Sequence, residues 1–345
     1  MVFTDYYFKM NKLIFKLFYK KTFLLFFILM LIPIFLNSCV YRAASKSLSQ
    51  IPAETAKMPQ VYFCPKEDCG KIVESHISSA NSTVYCAFYD LKLKNIIGAL
   101  ARKSKDADVK VVIDSSNQKG QIKGDGVRVD DDKQLMHNKF CVFDDDTVIT
   151  GSFNPTDNDN SLNNNNLIVV YSKTLAKNYK DEFDELWNGQ FGRGSKVEHP
   201  VMYINGMEIE NYFCPEDKCA SRIIGLISNA KSSVYFMSFS FTNNQIADAI
   251  IKKKNLDVRG IFDLGQSSSK FSQFNKMNDL DINVKKDKNK YKLHHKVFII
   301  DNQTVATGSF NPTLSADTKN DENLIIFHDQ KIANEFVGEF NSLWQ

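Results

Sequence analysis

At 345 residues, with 43% apolar and 24% charged side chains, the chain has the composition of a globular α/β protein large enough for two ordinary domains. Its formal charge of +3 is unevenly spread: residues 1–50 hold seven Lys or Arg against the single acid Asp5, which leaves 36 basic and 39 acidic residues in the remainder. That remainder lacks an overall basic field, which counts against a protein built to coat nucleic acid by neutralising its phosphates.

Residues 1–21 are basic and aromatic, and Thr22–Leu36 (TFLLFFILMLIPIFL) is an unbroken apolar run with one proline. This is the layout of a secretory n-region and h-region. Helix over that run reaches only about 22 Å, short of a bilayer core, and extension to Val40 meets the lower limit for a span. The run closes on Leu36, Asn37, Ser38 and Cys39, which resembles the bacterial lipobox, where a Cys after a small residue is lipidated; Asn37 departs from that pattern. The expectation is a basic segment at 1–21, a hydrophobic signal or anchor at 22–40 and a polar tether at 41–59. The protein is then extracytoplasmic, membrane-anchored or secreted, with a cleaved signal, a lipoprotein and an uncleaved anchor all open.

From residue 60 onward the chain repeats itself. VYFCPKEDC (61–69) returns as NYFCPEDKC (211–219), VKVVID (109–114) as VRGIFD (258–263), NLIVVYS (166–172) as NLIIFHD (323–329), and EFDELW (182–187) as EFNSLW (339–344). A repeat of this length is a duplication of a domain, too long in period for a solenoid. It gives domains at 60–188 and 211–345 and a glycine-containing linker at 189–210. Within the first copy the pattern predicts strands near 61–63, 83–89, 109–114, 127–129, 135–143, 147–152 and 167–171. Helices are predicted at 68–80, 92–104 and 175–187. The second copy repeats the order. Strands alternating with helices imply α-β-α sandwich halves with mixed, mostly parallel sheets. Cys64/Cys69 and Cys214/Cys219 share one spacing, which suits a local disulfide in each half outside the cytoplasm or, alternatively, a four-thiolate zinc site spanning both. Cys86 and Cys141 lie in apolar strands and read as core residues.

The densest chemistry also comes twice. LMHNKFCVFDDDTVITGSFN ends at Asn154 and LHHKVFIIDNQTVATGSFN at Asn311. His137, Lys139, Asp144, Ser152 and Asn154 fall under His294, Lys296, Asp301, Ser309 and Asn311 at identical spacing. Residues i and i+2 of a strand share a face, so each His points with its Lys while Asn138 and His295 point away. Two such sets brought together supply two imidazoles, two ammonium groups, two carboxamides and two hydroxyls, a cage for one phosphate. One His can attack phosphorus while the other protonates the leaving oxygen, with the Lys and Asn side chains stabilising the developing charge. No metal or cofactor is required by this scheme.

The pattern HxK, four residues, Asp, six residues, Gly-Ser-x-Asn resembles the signature of the phospholipase D superfamily, complete in both halves. The short halves are most similar to the minimal branch, which includes bacterial secreted endonucleases and the mitochondrial cardiolipin hydrolase. The resemblance implies one active site shared across a pseudo-two-fold, a monomer that is an internal pseudo-dimer, and hydrolysis through a covalent phosphohistidine. It also implies that Asp144 and Asp301 are structural, and that a downstream acid orients a catalytic His. The second half offers Glu322, where the first has Asn165; the expectation is that Glu322 crosses to His137, making His137 the nucleophile and His294 the general acid. Pro155 and Pro312 stand where relatives often have an aromatic. The lysine-rich approach 285–292 is either a solvated strand edge or a basic lip facing a phosphate-bearing substrate. The function expected is a phospholipase D-type phosphodiesterase acting on phospholipid, with nucleic acid as the alternative substrate, phosphatidyl transfer as an alternative reaction, and a catalytically dead tethered scaffold as the rival from outside enzymology.

Overall fold

A computed structural model of the chain describes residues 51–131 and 133–345. The basic segment, the hydrophobic signal or anchor with Cys39, and residues 41–50 of the expected tether lie outside the described residues. No helix among the described residues is long and apolar enough to cross a membrane.

The first half is built from β2 (Gln60–Cys64), α1 (Cys69–Ser79), β3 (Thr83–Phe88), α2 (Lys94–Lys103), β4 (Asp108–Ile113), β5 (Val127–Val129), β6 (Lys139–Phe143), β7 (Thr147–Gly151), α3 (Asp157–Ser161), β8 (Asn165–Tyr171) and α4 (Lys173–Trp187). It is preceded by β1 (Ala53–Glu54) and followed by β9 (Val201–Ile204). The second half repeats the scheme with β10 (Met207–Cys214), α5 (Cys219–Asn229), β11 (Ser233–Ser238), α6 (Asn244–Ile251), β12 (Asp257–Phe262), α7 (Phe274–Asn278), β13 (Asn283–Lys286), β14 (Lys296–Ile300), β15 (Thr304–Gly308), α8 (Leu314–Thr318), β16 (Glu322–His328) and α9 (Gln330–Trp344).

The first sheet has the order β2-β8-β7-β6-β3-β4-β5, and the second carries the same order in its own strands with β9 and β1 added beyond β10. Both are mixed, as expected. In the first, β2, β3, β4, β5 and β7 run one way and β6 and β8 the other, yet only β3–β4 and β4–β5 are parallel neighbours. The expected predominance of parallel strands therefore holds for direction but not for pairing. The reason is local: the turn at 144–146 between β6 and β7 is too short for anything but an antiparallel neighbour, whereas β3 and β4 have a crossover helix between them.

Three apolar cores follow from this layering. One lies between the first sheet and α1 and α2. A second lies between the other sheet and α5, α6 and α7. The third is common to both halves: Phe140, Tyr179 and Phe183 of the first pack in it with Met237, Ile299 and Phe336 of the second. Helices α4 and α9 both contribute to that shared core, so each half has helices on both faces of its sheet and the two inner faces close on one another.

Two sequence expectations are corrected here. The expected linker at 189–210 contains β9 and the start of β10, paired antiparallel as a hairpin that widens the second sheet. The end of the expected tether is also ordered: Ala53 and Glu54 pair with Tyr203 and Ile204. The Glu54 carboxylate accepts from the amides of Lys173 (2.9 Å) and Thr174 (2.7 Å) at the start of α4, where an anion meets the unpaired N–H groups of a helix.

Cys64 pairs with Cys69 and Cys214 with Cys219, each within its own half, so the thiols proposed for a shared zinc are consumed in two local disulfides. A third disulfide joins Cys86 to Cys141. These two were expected to be plain core residues; the antiparallel register of β3 and β6 sets them directly opposite, with Cα atoms 4.1 Å apart.

Candidate active site

Each half presents its HxK pair at the start of the strand that leads into its hairpin. The approach to His137 is held on one side by Asp114, at the end of β4, whose carboxylate accepts from the Met136 amide at 3.1 Å. On the other side it is held by the opposite half: the His137 amide donates to the Asp321 carbonyl (2.9 Å), and the Asp321 amide returns a bond to Leu135 (3.0 Å). The second half mirrors this. Asp263 accepts from the Leu293 amide (3.0 Å), and His294 and Asn164 exchange with the backbone across the halves, His294 N–H to the Asn164 carbonyl at 2.7 Å. These crossed bridges bring both histidines to one pocket of about 470 Å³, lined also by Asn154, Asn311, Tyr89 and Phe239.

The crossing also delivers the orienting acids. Glu322 follows Asp321, and its fully buried carboxylate lies 2.8 Å from His137 Nδ1. The expected contact between Glu322 and His137 is thus present. Ser309 donates its hydroxyl to the same Glu322 oxygen at 2.6 Å. Asn165, the first-half equivalent, does not serve His294; its Nδ2 donates to the carbonyls of Asp159 and Asn163. The acid facing His294 is instead Asp159 on α3, whose Oδ2 is 3.2 Å from Nδ1, outside hydrogen-bond alignment, and which also accepts from the Asn154 amide and Nδ2, both at 2.8 Å.

Asp159 was not foreseen from the sequence. Its second-half equivalent is Ala316, so a search for matching residues passes over it. The available signal was a pair of mismatches. Position 159 against 316 reads Asp and Ala, and 165 against 322 reads Asn and Glu, so each half holds one acid of the two.

Lys139 and Lys296 are almost fully buried, each donating to the carbonyl of its own histidine, 2.6 Å to His137 and 2.7 Å to His294. Their ammonium groups lie 5.0 Å from the Tyr89 ring and 5.3 Å from the Phe239 ring, within cation–π range. The same rings pack edge-on against His137 and His294. Burial pushes Lys139 down to about 8 and holds Lys296 well below the ordinary lysine range, with Lys139 repelling it. Burial likewise lowers His137, against the pull of Glu322, and drives His294 down to about 3 with Lys296 adding to the effect. Asp159 stays ionised: burial raises it, but His294 and the donors of Asn163 and Asn154 more than offset that. Burial is the first cause of the lowering at all four of these cationic groups, and a phosphate anion beside them would raise them again.

The Gly-Ser-x-Asn turns place their residues differently than the phosphate cage required. Gly151 and Gly308 have φ of +139°, and a Cβ on either would lie 2.4 Å from the carbonyl oxygen of Asn166 or Asn323, so glycine is obligatory there. Ser152 and Ser309 are fully buried and do not line the pocket; Ser152 Oγ accepts from the Asn166 amide and Ser309 Oγ from the Asn323 amide. Their hydroxyls brace the frame instead of facing substrate. Asn154 and Asn311 do line the pocket, each with a buried Oδ1 that has no hydrogen-bond partner among the described residues. Asp144 and Asp301 sit at the far end of the hairpins, where they accept from the amides of Ser82 and Thr83, and of Ser232 and Ser233. Pro155 and Pro312 are anchors: their carbonyls accept from Lys92 and Leu93, and from Thr242 and Asn243. Of the lysine-rich approach only Lys292 lines the pocket. A triad of metal-ligand type among the described residues, Glu208, Glu210 and His328, lies on β10 and β16, and none of the three lines the pocket.

A family profile described as "Cardiolipin synthase, PLD-like domain" matches residues 73–187 and 223–344, one match per half and more than half of the chain together. The chain belongs to the phospholipase D superfamily. A phospholipase D of Rickettsia conorii is 33% identical over 139 residues, covering 40% of this chain and 70% of that protein. A mitochondrial cardiolipin hydrolase of Chlamydomonas reinhardtii is 33% identical over 126 residues, 36% of this chain and 56% of that protein. Each alignment is about as long as one half of this phospholipase D-like chain. The two-half arrangement is also similar in fold to the phosphatidylserine synthase of Haemophilus influenzae, with a TM-score of 0.63 over 83% of this chain and 86% of that one at 12% identity.

Proposed function

We propose that this phosphodiesterase hydrolyses phospholipid phosphodiester bonds through a covalent phosphohistidine, without a metal, at a membrane reached from outside the cytoplasm. The observation that carries the reading is the pairing of each pocket imidazole with a carboxylate from the opposite half, beside two buried lysines. Glu322 at Nδ1 of His137 fixes the tautomer that leaves the Nε2 lone pair for phosphorus. His137 forms the N–P bond as the bond from phosphorus to the leaving oxygen breaks, and His294 gives that oxygen its proton. Water then attacks phosphorus, returns a proton to His294 and releases His137. The depression is deep at His294, so its role as acid depends on the charge the substrate brings: a phosphodiester anion held by Lys139, Lys296, Asn154 and Asn311 raises both imidazoles, and Asp159 steadies the resulting cation. The basic segment 1–21 and the apolar run Thr22–Leu36 that follows it support a membrane or secreted setting.

The test offers purified protein phosphatidylcholine, cardiolipin and single-stranded DNA side by side, with and without EDTA. Hydrolysis of lipid that survives EDTA and is abolished by either His137→Ala or His294→Ala is expected. Substantial activity in either variant overturns the shared site, loss with EDTA overturns the metal-free scheme, and cleavage of DNA alone overturns the substrate class.

A further inference from the structure

The two halves build one pocket but not one rim. At the end of the second sheet where the pocket opens, large apolar side chains stand in solvent: Leu264 is 44% exposed, Phe271 65%, Tyr291 42% and Leu314 67%. Three of the four lie close in the chain to residues that form the site. Leu264 follows Asp263, which holds the approach to His294; Tyr291 precedes the pocket residue Lys292; Leu314 is three positions beyond the pocket residue Asn311. Phe271 belongs to the loop after β12, which is held by the bond from the Gln273 amide to the carbonyl of Phe241, two residues beyond the pocket residue Phe239. The first half has Ser115, Gln134 and Asp157 at the positions equivalent to Leu264, Tyr291 and Leu314. Exposed side chains of this size gathered at a site mouth are what an apolar partner would cover.

Charge says which partner. Lys270, Lys288, Lys290 and Lys292 are exposed between and beside these residues, and none takes part in an ion pair among the described residues. The first-half lining of the pocket includes Asp157 and also Asp90, which is paired with Lys92. Phe271 and Tyr291 would offer a nucleic-acid strand stacking faces, but Leu264 and Leu314 offer none, and a strand threading the pocket would also meet Asp157. A bilayer approaches from one side only, and aliphatic, aromatic and lysine side chains together suit the boundary between headgroups and acyl chains. We propose that the second-half rim, from Leu264 to Phe271 with Tyr291, Leu314 and the adjoining lysines, docks the enzyme on an anionic phospholipid surface and feeds lipid into the pocket from that side. The proposal rests on phospholipid being the substrate.

The test uses the full chain, so that any contribution of the N-terminal segment is the same in every variant. Phe271→Ser/Leu314→Ser is compared with the parent on two substrates: phospholipid in vesicles containing phosphatidylglycerol, and soluble bis(p-nitrophenyl) phosphate. Turnover in vesicles is expected to fall at least tenfold while soluble turnover stays within twofold. Unchanged vesicle turnover, or equal loss on both substrates, overturns the proposal. Hydrogen exchange separates it from the substrate assignment: vesicles should protect the amides of 264–273 and 288–292 in the parent even if phospholipid is not cleaved. Absence of that protection, or protection by single-stranded DNA and not by vesicles, also overturns it.

Discussion

Replacing Asp159 with Asn tests the least expected part of the site. The substitution keeps the shape of a side chain that accepts from both nitrogens of Asn154 and faces His294 Nδ1 at 3.2 Å. What it removes is the negative charge. At an effective dielectric of about 20, a carboxylate and a histidinium that far apart attract by about 5 kcal/mol. If hydrogen bonding by Asn and relaxation recover half of this, about 2.5 kcal/mol remains lost whenever His294 carries a proton, roughly 70-fold in rate. Steady-state kinetics on a soluble phosphodiester should show kcat reduced about 50-fold or more with KM little changed, because a smaller fraction of the substrate-bound enzyme carries the proton on His294. A thermal melt establishes that the variant is folded. The double variant Asp159→Ala/Asn165→Glu rewrites the first half in the pattern of the second, and part of the lost kcat should return. A single variant with a third or more of the parental kcat would refute the role given to Asp159.

Two further outcomes follow from buried groups away from the reacting atoms. Burial, opposed by the Gly192 amide and reinforced by Asp130, Glu216 and Glu322, pushes Asp321 up to about 8. A raised folded-state pKa means stability that is full below the unfolded value near 4 and lost as pH rises toward 8. Asp321→Asn should therefore melt a few degrees above the parent at pH 8, on the order of 1–2 kcal/mol, with the gap narrowing as pH falls and closing near pH 4; a gap that does not change with pH contradicts this. The chain-entropy model gives about 4 kcal/mol for a disulfide closing 55 residues and about 2 kcal/mol for one closing five. Denaturant unfolding should accordingly show Cys86→Ala/Cys141→Ala to be the costlier loss than Cys64→Ala/Cys69→Ala, and the reverse ranking would show that strain or packing dominates.

What the sequence disclosed depended on whether a feature was repeated or local. The HxK pairs, the Gly-Ser-x-Asn turns and the sheet order are written twice, so each copy supports the other. The structural role of Asp144 and Asp301 and the crossing of Glu322 to His137 came with the resemblance those motifs carry. Asp159 is written once, opposite an alanine, and nothing near it in the chain ties it to His294. The Cys86–Cys141 bond depends on the register of β3 and β6, which are separated by two crossovers and fixed only by the assembled sheet. Ser152 and Ser309 were assigned to substrate because their residue type suits it; the +139° glycine before each turns the hydroxyl into the frame, a consequence of backbone path that residue type does not carry.

The crossed carboxylates also limit how such a chain can be taken apart. Residues 60–188 paired with a second copy of themselves would bring Asp159 twice and no glutamate; residues 211–345 paired likewise would bring Glu322 twice and no aspartate. Each half lacks, at 165 or 316, the acid that the other holds. The covalent join through 189–200 thus fixes a stoichiometry of one aspartate to one glutamate, and replacing either half by a second copy of the other would alter the reaction and not merely the partner.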